Sequence, residues 1–518
     1  MNLIDVLDTS VRRNPDHTAV EWGGESMTYR ELRDAADRAA SVFAGRGVLP
    51  GDRVMVMTLN DPGFLVAMYG IWRCGAVLVP VNHKMTPPEI EQIATHSRAV
   101  AGVVSDRLAE TAAQGAPGIG WLTTGWEPGT FEDAVSAAEP YTGGLVDETD
   151  YAQVLYTSGS TGAPKGCVLT HRAVSAIAPN MVSNMPFAAD ERMLVCMPFA
   201  ADERMLVCMP VWHASPLNNW VLTTVFIGGT VVLMREYDPA QFLSVLEGRR
   251  ITSVFGAPVA FIAPVQLAKA GAEQGARQPA SYDLSAMRML IYGAAPLGEE
   301  MARMLIDAYG TENFYQVYGM TETGPAGSLL KPADQVRKAG SIGRGMLGVE
   351  LKVVADDGAE VTADGEGEIW MRCDSMMSVY LSDPSATAEA FIDGWYRTGD
   401  VGKVDAEGYI YIADRKKDVI ITGGENVYST EVEEAIRDMP EVRDVAVVGR
   451  VHPEWGETVV AVIVTDEGQL LSVDEVRAHL AGKLAKYKIP REVVVARGLP
   501  RNPSGKLLKH VIRAEVNA

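Results

Sequence analysis

Apolar positions fall into two alternating rhythms over the first ~400 residues. Runs such as DRVMVMTLN (52–60) and AVLVPVN (76–82) have the length and composition of buried strands, and the stretch between them, PGFLVAMYGIWRCG (62–75), reads as a helix. Strand-like runs separated by helical patterns predict βα units and largely parallel sheets. Gly and Pro punctuate these units, and no long linker interrupts them. After RTGD (397–400) the pattern changes. GKVDAEGYIYIADRKKD (402–418) predicts a hairpin turning at Asp-Ala-Glu-Gly. Helix TEVEEAIRDM (430–439), strands VRDVAVVGRV (442–451) and TVVAVIVTD (458–466), and helix SVDEVRAHLAGKLA (472–485) then follow. The predicted fold class is α/β. A large N-terminal domain (1–416) has mostly parallel sheets with flanking helices, and a small α+β C-terminal domain (417–518) follows a boundary near Asp414 to Lys417.

One repeat cuts across this pattern. MPFAADERMLVC at 185–196 recurs unchanged at 197–208. Twelve residues is shorter than the ~20–50 of a solenoid period, and two copies in different environments should have diverged. A recent in-frame duplication is the simpler reading. The second copy runs into MPVWH and is expected to form the native strand, with Leu206 and Val207 in the core. Phe187, Leu194 and Val195 of the first copy are expected to be poorly buried.

Composition narrows the function. With 46 Lys plus Arg against 67 Asp plus Glu, the 518-residue chain carries a net charge of −21, which argues against nucleic acid or an anionic membrane as partner. No apolar run approaches the ~20 residues of a membrane span, and the first twenty residues lack an apolar signal core. Cys74, Cys167, Cys196, Cys208 and Cys373 show no CxxC spacing, so the expectation is reduced thiols, no zinc site and a cytoplasmic protein.

The sharpest chemical signal is Tyr156-Thr-Ser-Gly-Ser-Thr-Gly-Ala-Pro-Lys-Gly166, placed after the strand-like YAQVL. Thr157, Ser158, Gly159, Ser160, Thr161 and Gly162 are small enough to let backbone N–H groups approach phosphate oxygens, and Lys165 adds a cation. The loop is not a Walker A motif, because Pro164 and Gly166 stand where that motif needs Gly and Ser or Thr. Further segments follow in order: GAAPLG (293–298), YGMTETG (318–324), GEIWMR (367–372), WYRTGD (395–400), DRKKD (414–418), GGENVY (423–428) and PRNPSGK (500–506).

Taken together, over almost the whole chain, these segments resemble the adenylate-forming superfamily of acyl-CoA synthetases, aryl-CoA ligases, peptide-synthetase adenylation domains and luciferases, and most of all the acyl-CoA synthetases. The resemblance implies roles residue by residue. Gly293, Ala294 and Ala295 would hold adenine, with Tyr318 and Gly319 beside the nucleotide. Thr321 would contact the α-phosphate and Glu322 would bind Mg²⁺. Asp400 would accept the ribose hydroxyls, and Arg415 would contact ribose or phosphate. Lys417 would be the hinge of a mobile C-terminal domain. Lys506 would bridge the substrate carboxylate and α-phosphate, and Gly423 and Gly424 would line a pantetheine channel. The implied small molecules are ATP, Mg²⁺ and CoA. One departure stands out: Val379 occupies a place before Tyr380 where the family usually has Gly.

The same resemblance makes His213 the aromatic residue that reorients between half-reactions. Trp212, His213, Ser215, Asn219, Tyr292, Ala294 and Met320 are candidates for the acyl wall. VWHASPLNNW (211–220) contains no acid to hold an ammonium group, which argues against an α-amino acid and for a medium or bulky hydrophobic acid, aliphatic or ring-containing. Alternatives are a ligase loading a carrier-protein phosphopantetheine and an inactive nucleotide-binding regulator. Retention of Glu322, Asp400, Arg415 and Lys506 weighs against the second. Cys167 has no expected nucleophilic role, since CoA brings its own thiol.

Overall fold

The computed structural model describes residues 1–157, 164–185, 202–272, 275–422, 425–453, 455–465, 469–501 and 507–518. They form two compact units, 1–351 with 371–396, and 352–370 with 397–518. Among the described residues no helix is long and apolar enough to cross a membrane.

Two sheets build the first unit. In one, Ala99–Ser105 and Gly120–Thr124 lie on one side of Arg53–Met57, and Val77–Pro80 and Tyr151–Thr157 on the other, all parallel; Lys165–Thr170 and Val379–Tyr380 complete it antiparallel. In the other, Phe314–Gly319, Met289–Tyr292, Ser253–Gly256, Arg204–Val207, Thr230–Leu233 and Thr18–Trp22 run parallel in that order. Both sheets are covered by helices, so their strands are apolar on both faces. The predicted helix forms over Pro62–Arg73 and is buried through to Trp72. Gly70 lets it approach Ala36 and Ala39 of helix Tyr29–Gly45, where a Cβ would collide.

The duplicated segment behaves as predicted where it is described. Arg204–Val207 of the second copy is the strand between Thr230–Leu233 and Ser253–Gly256, with Leu206 and Val207 buried. Phe187, Leu194 and Val195 lie outside the described residues. His171 and His213 are 42 positions apart, and excision of 185–196 leaves 30. Because loop closure costs only ~0.6 kcal/mol per doubling of length, the excised chain is expected to fold with an equal or slightly higher Tm and unchanged activity. Thermal unfolding of the deletion variant checks this.

The predicted hairpin joins Trp395–Val404 to Ile410–Arg415, its residues from Arg397 on belonging to the second unit. Asp405 Oδ1 accepts the Glu407 and Tyr409 N–H groups at 2.9 Å, and Gly408 takes φ +80°. The C-terminal strands Val442–His452 and Gly456–Thr465 pair antiparallel, flanked by helices Ser429–Arg437 and Val473–Leu480. The last of these stops at Leu480 rather than Ala485, because Gly482 turns left-handed at φ +81°.

Candidate functional site

The Ser/Gly/Thr segment lies in sequence between two paired strands. These strands, Tyr151–Thr157 and Lys165–Thr170, are antiparallel, with Thr157 opposite Lys165. Ser158, Gly159, Ser160, Thr161 and Gly162 lie outside the described residues. At the base of the loop, Lys165 Nζ lies 5.0 Å from the centre of the Tyr380 ring. The Tyr380 hydroxyl donates to Glu322 Oε1 at 3.0 Å. Burial and the Glu322 charge push the Tyr380 pKa up, so this hydroxyl remains a donor. Tyr380 thus links the cation of the loop to the candidate metal ligand. Val379 and Tyr380 are strand residues paired with Val168 and Cys167, a backbone state open to any side chain, which explains why Val379 is tolerated.

Thr321, Glu322 and Thr323 form a short turn after strand Phe314–Gly319. Three groups clamp its backbone: Met377 N donates to Glu322 O at 2.8 Å, Ser375 Oγ to Thr323 O at 2.7 Å, and Asn218 Nδ2 to Gly324 O at 2.8 Å. Gly319 permits the close approach of the returning chain, since a Cβ there would strike the Pro325 backbone. Tyr318 and Met320 are half-buried. On the neighbouring strand end, Gly293 is buried while Ala294 and Ala295 are exposed, and Ala294 sits at φ +71°. A non-glycine residue held left-handed marks a backbone shaped by its surroundings.

Mg²⁺ is commonly held by one or two carboxylates together with substrate phosphates. Among the described residues no three His, Cys, Asp or Glu side chains form a ready-made metal cage. The half-buried Glu322 carboxylate, bonded to Tyr380, fits a metal that arrives with a polyphosphate.

The acyl-wall candidates begin where strand Arg204–Val207 ends. The rings of Trp212 and His213 lie 3.6 Å apart between centroids, tilted by 33°, and lead into a π-helical segment, Ser215–Val221. Burial, with His83 and Lys84 nearby, lowers the His213 pKa to about 4, so its ring is neutral at pH 7. Ser215 Oγ accepts the Trp220 indole N–H at 3.3 Å, and Trp220 stacks on Phe255. Met320 packs on the same apolar cluster. Asn219 is buried, and its Oδ1 has no hydrogen-bond partner among the described residues. Tyr292 is the exception. Ile291 faces the cluster of Leu217 and Trp220, so alternation along the strand sends Tyr292 to the opposite face. There its hydroxyl donates to Gln335 at 2.6 Å, so the structure does not bring it together with the other acyl-wall candidates around Trp220.

Sequence reasoning missed Asn60. Its buried amide donates among the carbonyls of Val207, Met209 and Met234 at 2.9–3.2 Å and accepts the Val211 N–H at 3.0 Å. It thereby fixes the backbone that carries Trp212 and His213. Its only trace in the sequence is a polar residue closing an apolar run.

The second unit holds a separate pair. Asp400 is buried and faces Arg415 across two antiparallel strands, with Arg415 Nε 2.6 Å from Asp400 Oδ1. Lys417 is exposed in the turn between Ile410–Arg415 and Ile420–Thr422. Asp414 Oδ2 accepts the Ser429 N–H at 2.5 Å and the Ser429 hydroxyl at 2.6 Å, tying the strand before this turn to the helix after it. Gly423, Gly424 and Lys506 lie outside the described residues.

The sequence profile of the AMP-binding enzymes matches residues 7–381, and that of the AMP-binding enzyme C-terminal domain matches residues 431–506. The chain belongs to the AMP-binding enzymes, the adenylate-forming superfamily. Feruloyl-CoA synthase from an Amycolatopsis species is 37% identical over 504 residues, covering 97% of this chain and 96% of that protein. Indoleacetate–CoA ligase from Aromatoleum aromaticum is 34% identical over 528 residues, covering 99% and 98%. The structure of o-succinylbenzoate CoA synthetase (MenE) from Bacillus subtilis with ATP and magnesium ion matches at a TM-score of 0.84 and 26% identity, covering 98% of each chain. Within this AMP-binding enzyme, Lys165, Glu322 and Tyr380 fall inside the first matched region, and Lys506 is the last residue of the second.

Proposed function

We propose that this AMP-binding enzyme is an ATP-dependent acyl-CoA synthetase, an AMP-forming acid–thiol ligase, acting on a ring-containing hydrophobic carboxylic acid. The observation that carries the substrate class is the close Trp212–His213 ring pair, neutral at His213, on a segment without acids that also holds the unmatched Asn219 Oδ1. A flat apolar ring suits the pair, and a ring O–H or N–H would satisfy the amide oxygen. The two relatives named for feruloyl-CoA and indoleacetate agree with that class.

In the first step a carboxylate oxygen attacks the α-phosphorus of ATP, the bond to pyrophosphate breaks, and an acyl-adenylate forms. Lys165 and the loop Ser158–Gly162 hold the phosphates, while Thr157 and Thr321 supply hydroxyls. Glu322 takes Mg²⁺, which offsets triphosphate charge when bound. Gly293, Ala294 and Ala295 present backbone to adenine, with Tyr318 and Gly319 alongside. Asp400, held by Arg415, accepts the ribose hydroxyls. Lys506 stabilises charge on the attacking and phosphoryl oxygens. In the second step the domain 417–518 turns about Lys417, and Gly423 and Gly424 admit pantetheine. The CoA sulfur attacks the acyl carbonyl, the bond to AMP breaks, and the thiol proton passes to solvent.

Pyrophosphate release across a panel of ring-containing, linear aliphatic and dicarboxylic acids tests the reading, with CoA or a holo carrier protein as acceptor. The expected result is the highest kcat/KM for ring acids bearing an O–H or N–H, with thioester formed on CoA. A preference for linear chains, or thioester on the carrier protein alone, contradicts it.

A further inference from the structure

His83 stands at the tip of the loop that follows strand Val77–Pro80. The buried Asn82 shapes this loop: its Oδ1 accepts the Lys84 N–H at 2.9 Å and its carbonyl accepts the Met85 N–H at 3.1 Å. The Trp212 indole N–H donates to His83 Nδ1 at 3.1 Å, with the rings edge-on at 74°. Trp212 in turn lies against His213. An indole nitrogen is a donor only, so His83 Nδ1 must offer its lone pair and the ring must be neutral, with hydrogen on Nε2.

We propose that His83 is a positioning residue for the acyl wall: while neutral, it holds the Trp212 ring over His213 and so sets the affinity for the ring of the acid. The inference rests on the reading that Trp212 and His213 line the acyl site. Protonated His83 carries hydrogen on Nδ1 and cannot accept from Trp212, so the wall loosens in acid. Around His83, Lys84 disfavours the cation, and His213 is the other titratable ring. Glu236, 3.7 Å from Arg107, favours the cation. Burial is the largest influence, and with Lys84 it outweighs Glu236, so the His83 pKa is lowered. The acceptor is therefore present at neutral pH and lost as pH falls below the ordinary histidine range.

Steady-state kinetics of H83L and H83N against pH test this. H83L removes the acceptor and should raise the KM for a ring acid roughly fivefold to tenfold, the effect of one buried hydrogen bond, with the KM for ATP unchanged. H83N places an amide oxygen near the Nδ1 position, so it should keep a low acid KM and lose the acid-side rise seen in the wild type. An unchanged acid KM in H83L, an equal rise in the ATP KM, or an acid limb retained in H83N would overturn the role of His83. A wild-type enzyme that accepts no ring acid would overturn the reading of the acyl site as well.

Discussion

Lys506→Ala is expected to slow acyl-adenylate formation ~10²–10³-fold and to leave thioester formation from a supplied acyl-adenylate largely intact. A lysine a dozen residues from the end of a chain is ordinarily solvated. The approach Pro-Arg-Asn-Pro-Ser-Gly, ending on Lys506, instead suits a loop that delivers one cation. Charge builds on the attacking and phosphoryl oxygens only in the first step, so a cation on a movable domain is needed there and can be withdrawn afterwards. Single-turnover assays of the two half-reactions separate these effects. Equal loss of both steps would contradict a domain that presents different faces to them.

Glu322→Gln is expected to raise the Mg²⁺ concentration needed for the first half-reaction at least ~10-fold, with binding of a preformed acyl-adenylate much less affected. The adenylate lacks the β- and γ-phosphates that share the metal. The substitution keeps the shape of the side chain and an oxygen for the Tyr380 hydroxyl, now 3.0 Å from Glu322 Oε1. The turn itself is held by backbone contacts from Met377, Ser375 and Asn218, so it should survive the change. Magnesium titrations of pyrophosphate release decide the point, and an unchanged dependence would remove Glu322 as a ligand.

The parts of the fold and site written in local pattern were legible in the sequence. The strand leading to Thr157, the hairpin turning near Asp405, and the strand from the second repeat copy all follow from periodicity and turn chemistry, whereas the returning strand Lys165–Thr170 came from the fold. The face taken by Tyr292 was not legible because both faces of a covered parallel sheet are apolar, so alternation carries no sign of which face is which. Asn60, His83 and Tyr380 were missed for a different reason. Their partners lie 58–174 positions away, and a hydrogen bond across such a separation leaves no local signature. The π-helical geometry of Ser215–Val221 was likewise invisible, since Ser-Pro-Leu-Asn-Asn-Trp-Val carries no clear helical or strand periodicity. The candidate chemistry-bearing residues were read from motifs, while the side chains packed around them had to come from the fold.

In this mechanism the AMP-binding enzyme joins its acid to the α-phosphorus of ATP before the thiol arrives. Turnover of a ring acid labelled with ¹⁸O in both carboxylate oxygens, followed by mass spectrometry of the nucleotide product, tests it directly. One ¹⁸O should appear in the phosphate of AMP, and labelled acyl-AMP should accumulate when CoA is omitted. Label in inorganic phosphate with ADP as product, or AMP without label, would contradict it.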